Sequence, residues 1–365
     1  MADLAGRGAV RGAAGRPFRR LLHRFVPAHF RDPLGLARRL FRSGDRAALF
    51  AMQQAALGIV LTPVDLLLLP LEHRRYRRAP APRLPLVFVC GPARSGTTLV
   101  AQVLMRNLPV AYFTNLTAVF PRSPLTAERL FGRLLPRRPP GYQSYYGKTR
   151  YWSGPSDALQ LWDRWLGEDR TAIPEALAPP EQEAMRRFFG AFEAMTGRPL
   201  VAKNNSLNAS AHLVAEVFPQ ARFLCLVRDR VALAASLLRA RREIHGTDRV
   251  PYGLAQAQDR AADPLLDVCR QVLFHEALAA QQVERLGPER FRLVGYEAFC
   301  RDPLALVRRV GEEILGRAPE PDRLDPDLRG FDPRGRERLE PELRAALEAN
   351  FERLAAERAR RGPAA

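Results

Sequence analysis

The chain has 365 residues, 47% of them hydrophobic, which allows one large α/β domain or two small ones. Its formal net charge of +18 would suit a polyanion, yet only Lys148 and Lys203 among the 57 basic residues are lysines. An arginine excess that runs through the whole chain alongside Ala, Pro and Gly reads as codon bias. No basic stripe interleaved with aromatics, zinc spacing or helix-turn-helix pattern argues for nucleic acid. The four cysteines, Cys90, Cys225, Cys269 and Cys300, show no CxxC or Cys/His spacing, so a reduced, cytoplasmic catalytic domain without structural metal is expected.

Residues 1–50 form a basic extension, rich in arginine and poor in acids, that looks like a transit peptide or an over-extended start, with a mixed helical pattern from Arg19 to Phe30. Residues 51–83 are an apolar segment and linker. Within them Ala55 to Leu71 is the most apolar stretch of the protein and carries one charge, Asp65. Pro63 and Asp65 interrupt it, whereas a spanning helix wants about 20 apolar residues. Arginines on both sides suit a helix-break-helix lying on anionic lipid at the inner face of the membrane, and packing against the catalytic core is the equal alternative.

Residues 84–320 form the expected catalytic domain. Leu86 to Cys90 predicts a strand buried on both faces, bounded by Pro85 and Gly91-Pro92, and a helical period starts at Thr97. Strand, small-residue turn and helix N-terminus gather backbone N–H groups and the positive end of a helix dipole where an oxyanion would sit. In the P-loop template G-x-x-x-x-G-K-[ST], Gly91, Gly96 and Thr98 fit, while Thr97 takes the lysine position and Arg94 must supply the cation. That departure argues for a phosphate-containing donor not handled as Mg·ATP.

Val110 to Phe113 reads as a second strand and Leu125 to Leu135 as a helix. Gly141 to Arg170 is polar and aromatic, with Tyr142, Tyr145, Tyr146, Tyr151 and all three tryptophans. A helix is expected from Asp157 to Arg170 with Ser156 as its cap, turning Leu159, Trp162, Trp165 and Leu166 to the core. Lys148, Tyr151, Trp152 and the loop from Gly154 to Asp157 are the acceptor-site candidates. Strands follow at Pro199 to Ala202 and Ala221 to Val227, and helices at Asn208 to Phe218, Pro264 to Leu286 and Asp302 to Leu315. Residues 321–365 end in a helix, Arg338 to Arg361, whose single apolar seam could pack on the core or on another subunit.

Three segments in this order, GPARSGTTLV from Gly91, VFPQARFLCLVRDRVALAASLLRARR from Val217 and FRLVGYEAFCRDP from Phe291, resemble the sulfotransferases that use 3′-phosphoadenosine 5′-phosphosulfate, PAPS. The resemblance covers roughly residues 84 to 315 and implies an α/β, three-layer P-loop-type fold with a central parallel sheet flanked by helices. It implies that Arg94, Ser95, Gly96, Thr97 and Thr98 hold the 5′-phosphosulfate, that Arg228 and Ser236 hold the 3′-phosphate, and that Tyr296 lies near the adenine. Ala298 stands where the family's strand-end motif carries an acid, and neither Arg329-Gly330 nor Arg334-Gly335 reproduces its C-terminal Arg-Lys-Gly segment.

The implied reaction is in-line transfer of a sulfuryl group from PAPS to a hydroxyl or amine of a carbohydrate, lipid or small molecule, with no metal. Lys203, at a strand end where relatives place a lysine against the bridging oxygen, is the expected leaving-group stabiliser; a plain surface lysine is the alternative. The base is open: Asn205 stands where small-molecule sulfotransferases have a histidine, and no acid follows the first helix. Asp157 in its polar loop is the candidate, unless it only caps a helix. Glu128, Asp163 and Asp169 are weaker, and His212 reads as structural. A P-loop kinase, and a membrane-docked relative without catalysis, are the rivals.

Overall fold

The computed structural model describes residues 32–135, 141–256, 260–326, 328–333 and 335–361. The pattern from Arg19 to Phe30 lies outside them. In chain order the first elements are α1 (Pro33–Arg42), α2 (Arg46–Val60), α3 (Thr62–Leu67), α4 (Leu69–Arg77), β1 (Leu86–Cys90), α5 (Thr97–Asn107), α6 (Asn115–Val119), α7 (Pro124–Phe131), β2 (Ser144–Tyr145), β3 (Lys148–Thr149) and α8 (Leu159–Leu166). Then come α9 (Pro179–Thr196), β4 (Leu200–Lys203), α10 (Leu207–Val217), β5 (Arg222–Val227), α11 (Arg230–Ala240), α12 (Pro264–Leu286), β6 (Phe291–Gly295), α13 (Tyr296–Arg301), α14 (Pro303–Arg309) and α15 (Pro341–Arg361).

All five residues of β1 are buried because the strand lies inside a parallel sheet, ordered β4-β1-β5-β6, that is covered on both faces. Leu86, Phe88 and Cys90 point to one layer with the aromatics of α9 and α8, where Phe88 meets Trp162, Phe189 and Phe223. Val87 and Val89 point to the other, against Val100, Val103 and Leu104 of α5 and Phe299 of α13. This is the three-layer α/β arrangement expected from the sequence. Because β1 sits between β4 and β5, the C-terminal ends of three strands open side by side.

Two expected elements take a different form. Val110 to Phe113 is no strand: Ala111 alone bridges Leu200, then Thr114 opens the capping box of α6 and turns the chain away. The helix expected from Asp157 to Arg170 is only α8, which follows Ala158 at φ 45° and is stopped by Gly167 at φ 91°. Asp157 is held outside it by an ion pair, so it caps nothing. Trp162 and Trp165 are core residues, and the seam of α15 packs Leu347 and Leu354 on Val268, Cys269 and Val272.

The apolar segment packs on the catalytic domain through Leu61 and Leu68, which meet the cluster of Leu116, Val119, Phe120 and Ala127, and through its polar side chains. Gln54 donates to Asn115 O at 2.7 Å. Asp65 accepts from the Ser123 N–H at 2.8 Å and its hydroxyl at 2.7 Å, and Glu72 accepts from the Thr126 N–H at 2.7 Å and its hydroxyl at 2.6 Å. The two carboxylates thereby serve the free N–H groups at the start of α7. Among the described residues no helix is long and apolar enough to cross a membrane.

Candidate functional site

Gly96 enters α5 at φ +97°, a left-handed conformation that glycine adopts without strain. A Cβ there would stand 2.2 Å from the Tyr296 ring, so backbone and ring are in close contact. No side chain caps α5, and its first helical hydrogen bond runs from Val100 N to Gly96 O. The N–H groups of the first turn are therefore left facing the turn. Ser95 is fully buried, and its hydroxyl pins the turn by donating to Pro92 O at 2.8 Å.

The second set of residues meets the first. Arg94 Nε donates to Ser236 Oγ at 3.3 Å, and Arg228 Nη1 donates to the carbonyl oxygen of Arg94 at 2.8 Å. The Arg228 guanidinium lies over the Tyr296 ring, 5.0 Å from its centroid. Burial lowers the Arg228 pKa, and the Tyr296 hydroxyl is pushed up to about 12, again chiefly by burial. Arg228 is thus a partly desolvated cation, the kind of group that forms strong charge-assisted hydrogen bonds.

On the other side of β1, the end of β4 brings Lys203 Nζ 2.7 Å from Asp157 Oδ1 and 3.0 Å from Thr98 Oγ1. Lys203 is 3% exposed, so it is no surface lysine. Thr97 Oγ1 donates to Asn205 Oδ1 at 3.0 Å. Lys148 lies close enough to Asp157 and Lys203 to feel both: burial lowers its pKa, Asp157 opposes that, and Arg170 and Lys203 add to it. Lys203 thus pairs with Asp157, and Lys148 senses the charge of the same carboxylate.

The weaker acids are engaged elsewhere. Glu128 accepts from Thr114 Oγ1 at 2.8 Å, with its pKa raised by burial, and Asp163 pairs with Arg170 at 2.7 Å. Asp169 accepts from the Thr171 N–H at 2.9 Å, and His212 Nδ1 lies 3.2 Å from Gln282 Oε1. Trp152 packs its ring on Phe50 at 4.9 Å.

Sequence reasoning passed over two contacts. Tyr146 lies under the Arg94 guanidinium at 4.4 Å, with its hydroxyl donating to Glu243 at 2.6 Å. Pro333 O accepts from Arg228 Nη2 at 3.0 Å, which brings the segment after Leu324 onto the site. The Tyr145-Tyr146-Gly147 run was the available signal for the first. For the second, the adjacent Arg334-Gly335 was the available signal, set aside because it does not reproduce the family's Arg-Lys-Gly segment.

A model of the sulfotransferase family matches residues 85–316. The chain belongs to this family. No curated protein matches the sequence of this sulfotransferase. Among solved structures it is similar to a sulfotransferase of Mycobacterium avium, at 17% identity and TM-score 0.49, covering 92% of this chain and 86% of that one. It is similar to one of Mycobacterium tuberculosis at 13% identity and TM-score 0.46, covering 90% of each. A third, from Alicyclobacillus acidocaldarius, has 21% identity and TM-score 0.38, covering 75% of this chain and 94% of that one.

Proposed function

We propose that this sulfotransferase moves a sulfuryl group from PAPS to a hydroxyl or amine of a carbohydrate, lipid or small molecule. The observation that carries the reading is the position of Arg94, whose side chain meets Ser236 while its carbonyl meets Arg228. One residue thus links the turn before α5 to the cationic end of β5, as a bisphosphorylated adenosine with an anion at each end requires. The donor set fits the molecule: uncapped helix N–H groups and arginines for the phosphates, and the Tyr296 ring for the base.

When bound, PAPS supplies the electrophilic sulfur and the departing phosphate. The N–H groups of Gly96, Thr97 and Thr98 with Arg94 would hold the anionic oxygens, and Arg228 with Ser236 the 3′-phosphate. Lys203 would neutralise charge on the leaving group, and Asp157 would take the acceptor's proton. Their 2.7 Å separation places the two groups side by side at the end of β4. The acceptor would approach past α8, where the Trp162 Nε1 and Asn204 Nδ2 donors, buried and without partners among the described residues, border a small cavity that Asp163 and Leu254 also line. The location belongs to the same proposal: the cytoplasm, at or near the inner face of the membrane.

Calorimetric titration with adenosine 3′,5′-bisphosphate and with ATP tests the donor. The bisphosphate should bind at least roughly tenfold more tightly, about 1.4 kcal/mol. Tighter ATP binding would favour the kinase, although Thr97 occupies the position where that enzyme needs lysine. Label transfer from sulfur-labelled PAPS into a cell extract separates an enzyme from a non-catalytic relative.

A further inference from the structure

The segment from Ala56 to Leu71 has its polarity turned inside out. Its exposed residues are Ala56, Leu57, Val60, Pro63, Val64, Leu66, Leu67, Pro70 and Leu71, all apolar. Val60 is 69% and Leu67 78% exposed. The acid within it, Asp65, is buried against Ser123, as Glu72 just beyond is buried against Thr126. An ordinary surface helix does the reverse. The neighbouring α7 and the turn after it continue the apolar surface with Leu130 and Leu134, the latter 82% exposed.

Arginines adjoin this surface. Arg74, Arg77, Arg78, Arg129 and Arg133 are exposed, and none forms an ion pair among the described residues. Asp65 and Glu72 are the only acids between Arg46 and Ala127, and both are buried. On α2, α3, α4 and α7 the acids, Asp65, Glu72 and Glu128, are buried or half-buried, and the exposed Glu183 of the neighbouring α9 is paired with Arg187, so these elements present apolar side chains and arginines with no exposed acid of their own.

We infer that this face of α2, α3 and α4, with its arginine border, docks on an anionic lipid bilayer. Apolar side chains that enter the headgroup region beside cations drawn to lipid phosphates are what such a surface requires. Two other occupants conflict with the charge. A second copy would set the same arginines against each other, and residues 1–31 carry seven arginines and one acid, Asp3. The inference stands apart from the donor assignment, since binding to lipid is read without turnover.

The test is co-sedimentation of the full chain with vesicles of phosphatidylcholine alone or mixed equally with phosphatidylglycerol. The parent should bind the mixed vesicles and leave the neutral ones largely bare. Val60→Glu with Leu67→Glu should cut partitioning at least roughly tenfold. Arg74→Gln with Arg77→Gln and Arg78→Gln should cut it on the order of a hundredfold at low salt, at about 1 kcal/mol per charge. These side chains are exposed, so melting temperatures should hold in both variants. A parent that ignores mixed vesicles, or variants that bind as the parent does, would overturn the inference. So would a parent dimer that the two glutamates turn into monomers, because a second copy would then cover the face.

Discussion

Lys203 and Asp157 are joined by a 2.7 Å ion pair whose lysine is 4% and aspartate 17% exposed in the side chain. The pair forms across the cleft from the ends of separate segments, β4 and the loop before α8. Replacing Lys203 by Ala should lower turnover by roughly 10²–10³-fold while affinity for adenosine 3′,5′-bisphosphate changes little. Steady-state rates beside calorimetry decide this, and an unchanged rate would remove Lys203 from the mechanism. The same substitution leaves a poorly solvated carboxylate alone, at a cost of about 3–5 kcal/mol. Adding Asp157→Asn should recover part of the lost melting temperature.

Arg228→Ala removes a desolvated guanidinium and releases both Arg94 O and Pro333 O. Affinity for adenosine 3′,5′-bisphosphate should fall by about 2–4 kcal/mol, the range for deleting a charge-assisted hydrogen bond in a partly buried site. Titration calorimetry reads it directly. Equal binding by variant and parent would refute the placement of the 3′-phosphate.

Gly96→Ala tests the cradle's shape. At φ +97° a methyl group is strained, and it would stand 2.2 Å from the Tyr296 ring, so the ring must move. The variant should lose roughly tenfold or more in bisphosphate affinity, with a strain cost of about 1–3 kcal/mol in stability. Equilibrium unfolding and calorimetry together separate the two effects.

His275 gives a pH dependence. It is buried, its Nδ1 faces the Asn208 amide N–H at 3.0 Å, and its Nε2 donates to Leu254 O at 3.0 Å. A second proton on Nδ1 would oppose a donor. With burial as the chief cause, its pKa drops from 6.5 to about 4. Between these values the unfolded chain binds a proton that the folded chain refuses, so stability falls as pH drops through this window and the contribution is gone below it. The amplitude should be about 3 kcal/mol. His275→Gln should flatten the difference in unfolding free energy between pH 7 and pH 4.

The sheet was legible because its strands are short apolar runs between proline and glycine punctuation, and α12 matches its expected span from Pro264 to Leu286. The junction of β1, turn and α5 was legible for the same reason, since turn and helix start are written into consecutive residues. What escaped was tertiary. From sequence, Asp157 is a candidate base or a helix cap; its ion pair is hidden there because its partner, Lys203, lies far off in the chain. Ala55 to Leu71 left two readings open because hydropathy cannot show which side of a helix a single carboxylate faces. The burial of Asp65 settles that it packs on the core, and leaves the apolar side outward.

The two lysines make the protein convenient for spectroscopy. Apart from the terminal amine, reductive methylation with isotopically enriched formaldehyde has only Lys148 and Lys203 to modify, and both sense Asp157. Most proteins of this size would return a crowd of overlapping methyl signals. Here a two-line spectrum would come from the cleft itself, and ligand titrations could be followed without assigning anything else in the chain.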